Sequence, residues 1–121
     1  MRPFTVNGEL WRVVRVSPSD PRLIDRTGER RIATTNPLRR EVCVSDELEP
    51  PMLDKVVLHE VAHAVTIGYG LLGPLRALER PDRWMVEEWA AGLMENHAIE
   101  AVKAASEALG RPLCVRGVCR D

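Results

Sequence analysis

Residues 52–69 read MLDKVVLHEVAHAVTIGY, and the fold turns on how that stretch is read. It follows Glu49-Pro50-Pro51, where a proline suits the first turn of a helix, and it meets no further proline and no glycine before Gly68. Apolar residues at 53, 56, 57, 61, 64 and 65 trace the broad stripe of a half-buried helix. Gly68 reads as its C-terminal stop. Inside it, Leu58-His59-Glu60-Val61-Ala62-His63 sets two histidines four residues apart, on one face and one turn above the other. Both imidazoles can then reach a single ion at about 2.0–2.1 Å. Glu60 can lean over the open side of that ion and take a proton from a water bound there. This is the H-E-x-x-H arrangement: two ligands and a general base on one turn. A shuffle of this composition produces it roughly once in 200 trials, so the context carries weight. Three polar side chains in an otherwise apolar stretch are costly to bury without partners, and a metal ion would partner them. The alternative is a pair of surface histidines on the polar side of an amphipathic helix.

A catalytic zinc usually has three protein ligands and a water. Thr66 to Leu72 contains no histidine, and the remaining one, His97, lies in Glu95-Asn96-His97. A carboxylate is the better third ligand. Trp84-Met85-Val86-Glu87-Glu88-Trp89-Ala90-Ala91 offers two in tandem, at the start of a second long helix. That helix is expected from Pro81-Asp82 to about Leu109, closed by Gly110-Arg111-Pro112. Glu87 and Glu88 lie about 100° apart on it, so one of the two can face the ion. Ala90, Ala91 and Gly92 leave room for close approach. Against this stands the ordinary role of first-turn glutamates, solvated and favoured by the helix dipole.

Met52 to Gly92 resembles the gluzincin-type zinc peptidases, in which H-E-x-x-H lies on one helix and a glutamate on the next completes the site. The layout is similar to that of the ImmA/IrrE-like metallopeptidases and the single-domain minimal zincins. The resemblance implies one zinc per chain, held by His59, His63 and Glu88 or Glu87, with Glu60 as general base for peptide-bond hydrolysis. It implies a protein or peptide substrate, a regulator among the candidates. In the ImmA/IrrE-like pattern the ligand glutamate is followed by a small residue at +3 and often by Asn or Asp at +4. Glu88 gives Ala91 and Gly92 there, and Glu87 gives Ala90 and Ala91; neither has the polar residue. Glu88 is preferred, because its +4 glycine leaves room beside the histidines. In such proteins the strand before the active-site helix is an edge along which substrate pairs, here Glu41 to Ser45. Tyr69 could reach the site as an oxyanion stabiliser, or simply pack at the helix end. The rival reading is a zincin-fold regulatory or binding module whose zinc supports little or no turnover.

The rest of the chain fits one domain, residues 1–121, of class α+β. Leu10–Val16 after the turn Asn7-Gly8, Arg31–Thr35 and Glu41–Ser45 suggest a small N-terminal sheet of about three strands, followed by the two long helices. Aromatic residues are only 4% of the chain, so the core must come from Val, Leu, Ile and Ala. Charges interrupt every long apolar stretch, which excludes a membrane span. With no apolar region in MRPFTVNGELW, the reading is cytoplasmic. Cys43, Cys114 and Cys119 are an odd set and read as free or incidental thiols. A lesser possibility is that Leu113 to Cys119 folds across the cleft and lends a thiolate to the zinc. Residues 1–40 carry nine arginines against four acids. They lack an aromatic platform or a helix-turn-helix pattern, so a solvated basic face fits better than a nucleic-acid site.

Overall fold

Asn7 and Gly8 take positive φ, 49° and 77°, as a tight two-residue hairpin requires. They join β1 (Phe4–Val6) to β2 (Glu9–Val16), with Val6 opposite Glu9. The computed structural model describes residues 1–73 and 83–114, and for Arg83 and Trp84 the backbone alone. A short 3₁₀ turn at Pro21–Leu23 follows, capped by Asp20, whose carboxylate accepts from the Arg22 backbone N–H at 2.8 Å. Then come β3 (Ala33–Asn36), β4 (Glu41–Ser45), α1 (Met52–Gly68) and α2 (Arg83–Leu109). The class is α+β as expected, with one strand more than the sequence suggested. At three residues, β1 is too short to show an alternation of its own.

The strands lie in the order β1-β2-β4-β3, with β2 and β4 parallel and the other pairs antiparallel. This corrects one expectation. Glu41–Ser45 is not an edge: β2 pairs along one side of it and β3 along the other, and all five of its residues are buried. The hairpin between β3 and β4 fixes that arrangement. The Asn36 side-chain oxygen accepts from the backbone N–H groups of Leu38 and Arg39, turning the chain back on itself. The edge strand next to α1 is therefore β3.

One face of the sheet presents Phe4, Val6, Trp11, Val13, Ala33, Val42 and Val44 to Leu53, Val57, Val61, Ala64 and Val65 of α1. Helix α2 joins this core through Ala104, Ala105 and Ala108, small side chains that let it seat closely. On the opposite face Val16, Leu23 and Cys43 form a smaller cluster under the 3₁₀ turn. Burial and a hydrogen bond to Glu41 push the Cys43 thiol up to about 11, so this cysteine is a core residue rather than a reactive one. Among the described residues no helix is long and apolar enough to cross a membrane.

Gly68 is the last residue of α1, where the sequence places the stop. The cap beyond it is made by Gly70, at φ +64°: its N–H bonds to the carbonyl of Ile67, and that of Leu71 to Thr66, the paired bonds of a Schellman cap. Gly68 is small for another reason. A Cβ there would stand 2.9 Å from Cγ1 of Val6, itself buried in the core. Gly68→Ala gains at most about 1 kcal/mol of helix propensity but overpacks a fixed neighbour, which costs about 1–3 kcal/mol. The expected net loss is about 1 kcal/mol, a fall in Tm of roughly 4 °C. A rise in Tm by calorimetry would show that β1 yields.

Candidate metal centre

His59 and His63 project from the exposed face of α1, opposite the side on which Val57 and Val61 enter the core. Their rings meet edge to face, centroids 4.9 Å apart, and their Nε2 atoms converge to 3.2 Å. Two ligand nitrogens around a tetrahedral zinc at about 2.0–2.1 Å stand roughly 3.3–3.4 Å apart. The pair is thus spaced for one ion to sit between it. A neutral pair sharing an N–H···N hydrogen bond would show a similar distance.

Glu60, between them in sequence, is buried at 7% exposure. Its Oε2 accepts a 2.5 Å hydrogen bond from the hydroxyl of Thr35, on the edge strand β3. A buried carboxylate needs such a partner. Beside it a cavity of about 330 Å³ opens between β3 and the first turns of α1, walled by Arg31, Ile32, Ala33, Lys55, Val56, His59 and Glu60. The turn of H-E-x-x-H and the outer strand of the sheet therefore border one space. Thr35 was not visible as a site residue in the sequence, since nothing in a Thr-Thr strand distinguishes the hydroxyl that will face the helix.

Glu87 and Glu88 are not brought to the histidines. The two helices run antiparallel: Asp54 near the start of α1 pairs with Arg111 just past α2, and Tyr69 at the end of α1 meets Glu100. Glu88 precedes His97 by nine residues, roughly 13 Å of helix beyond that meeting point. His63 precedes Tyr69 by six, about 9 Å in the opposite direction. Both glutamates are exposed, and Glu88 lines a different cleft, of about 430 Å³, with Tyr69, Leu71, Trp89 and His97. Among the described residues no group of three or more His, Cys, Asp or Glu side chains is gathered so as to hold a metal ion.

Tyr69 is also engaged elsewhere. Its hydroxyl donates to the Glu100 carboxylate, 2.7 and 2.8 Å from the two oxygens, and its ring lies against His97 at 4.7 Å. The carboxylate raises the phenol above its ordinary range and holds its proton, so the hydroxyl is committed to Glu100 rather than to an oxyanion. The thiol reading needs correcting as well. Cys114 is disulfide-bonded and sits at the start of α1, its backbone N–H donating to Asp54, so it is no thiolate for the histidines. Cys119 lies outside the described residues.

No family model, curated protein or solved structure matches the chain. The reading of this site rests on its residues.

Proposed function

We propose that this chain is a zinc-dependent peptidase of the gluzincin type, acting on protein or peptide substrates. The observation that supports it best is the convergence of the His59 and His63 Nε2 atoms to 3.2 Å beside a buried Glu60. Those two imidazoles would hold the zinc, which when bound supplies a Lewis acid that polarises a carbonyl and acidifies a water. A third protein ligand from Glu88, or from Glu87, would require the first turns of α2 to lie across the histidines.

The chain's own residues account for the rest. Glu60 takes the proton of the attacking water and passes it to the leaving amine. Thr35 holds the Glu60 carboxylate against β3, so that base and sheet edge keep a fixed relation. The outer edge of β3 offers backbone groups along which an extended peptide can pair. A cytoplasmic setting remains the sequence-based reading; the disulfide at Cys114 pulls against it, since reducing compartments keep most thiols free.

One observation favours a second reading, a zinc-binding regulatory module with little turnover: among the described residues only two of the expected ligands meet. Glu60→Gln separates the two. On the peptidase reading, zinc-loaded Glu60→Gln protein cleaves a mixed peptide library about 10²–10⁴-fold more slowly than the unaltered chain, by mass spectrometry of the products. A library left intact by the zinc-loaded unaltered chain would favour the module.

A further inference from the structure

The cavity beside His59 is unevenly charged. Two cations, Arg31 and Lys55, stand on its wall against one acid, Glu60, and Ile32, Ala33 and Val56 supply an apolar remainder. The cations are not equivalent. Arg31 is held from behind by Asp25 at 2.6 Å and Glu29 at 3.0 Å, so its charge is largely answered. Lys55 lies one turn ahead of His59 on the same face of α1, exposed, and among the described residues no acid pairs with it. Its neighbour Asp54 turns inward to Arg111 and leaves the ammonium unanswered. Glu60 is engaged by the Thr35 hydroxyl. An ammonium at the rim of a partly apolar cavity attracts an anion more strongly than one on an open surface, because less water screens it.

We propose that this cavity is a specificity subsite for an acidic side chain, aspartate or glutamate, near the scissile bond of the substrate, with Lys55 as the counter-ion. At about 330 Å³ it lies at the low end of the roughly 300–1,000 Å³ of small-ligand clefts, which suits one side chain rather than a whole ligand. The proposal rests on the zinc-peptidase reading, since it places the cleaved peptide along β3 and across His59.

The test measures binding, not turnover. Peptide hydroxamates of one length, carrying Glu, Gln, Lys or Ala beside the zinc-binding group, are titrated by calorimetry into zinc-loaded protein. Two series place the varied residue on either side of that group. In one series the Glu probe is expected to bind about tenfold more tightly than the Gln probe at low salt, with Lys the weakest. The preference should vanish in Lys55→Met while the Ala probe binds unchanged, and it should shrink at high salt. Glu and Gln probes binding alike in both series, or a preference that survives Lys55→Met, would overturn the subsite and leave the zinc site standing. Binding of none of the probes, Ala included, would remove the zinc reading and the subsite with it.

Discussion

His63→Ala will not retain zinc under conditions in which the unaltered chain and Glu60→Gln each hold about one ion. The expectation follows from geometry. His63 supplies one of only two imidazole nitrogens that converge at 3.2 Å, and among the described residues no third ligand stands by to replace it. Removing even an outer-shell partner of a metal ligand costs about 10–100-fold in affinity, so removing the ligand itself should cost more than a hundredfold. Glu60 accepts from Thr35 and is not one of the two converging ligand nitrogens, so its amide should leave uptake intact. Elemental analysis after gel filtration reads the stoichiometry, and competition with a chelator reads the affinity. Glu87→Gln and Glu88→Gln belong in the same experiment. With both side chains in the first turns of α2, away from the stretch that packs on α1, neither should alter affinity more than about twofold; a hundredfold loss in one would show that its carboxylate closes on the ion. An unaltered chain that takes up no zinc would end the peptidase reading.

Asp54→Ala should destabilise the fold by about 3 kcal/mol, the low end of what breaking a buried ion pair costs. Asp54 is 1% exposed in the first turn of α1 and accepts from both terminal nitrogens of Arg111, at 2.7 and 2.8 Å, and from the Cys114 N–H at 2.5 Å. The alanine removes the carboxylate that accepts from that N–H and pairs with the guanidinium. Arg111 is about a quarter exposed, at 28%, and water recovers part of the loss. The pH dependence has a definite sign. Arg111 first, and then the Cys114 N–H, hold the Asp54 carboxyl below its ordinary 3.8 in the folded chain, against the opposing effect of burial. Its contribution is complete above the unfolded pKa and drains away as pH falls through the lower folded value. Denaturant titrations at pH 7 and pH 3 should therefore show the unaltered chain losing more stability on acidification than Asp54→Asn. Equal losses would mean that Asp54 does not carry the acid sensitivity.

Much of this was legible in the sequence, for identifiable reasons. The α1 stripe at 53, 56, 57, 61, 64 and 65 is a local pattern, and all of those residues are buried except Val56, which is half-buried. Asn7-Gly8 marks a hairpin because few other pairs accept positive φ twice. What could not be read is long-range. That β4 is enclosed depends on β2, 29 residues earlier, pairing parallel to it through Arg12 and Glu41. The distance between Glu88 and His63 depends on which stretch of α2 docks. Ala104, Ala105 and Ala108 decide that through close packing, and alanines at helical spacing carry little signal of their partner. Gly68 and Gly70 look alike in sequence, yet one answers to Val6 across the core and the other to its own backbone.

The turn that carries His59 and His63 has two sides with separate duties. Val57 and Val61 are wholly enclosed on the inner side, while the histidines stand outside it. The core residues and the proposed zinc ligands thus occupy different positions of the same 17-residue helix. An exposed side chain away from such packing features is worth little to stability, so the imidazoles can be altered without disturbing the keel beneath them. A lesion in one trait need not be a lesion in the other, and a silent variant of this chain can still be a properly built one.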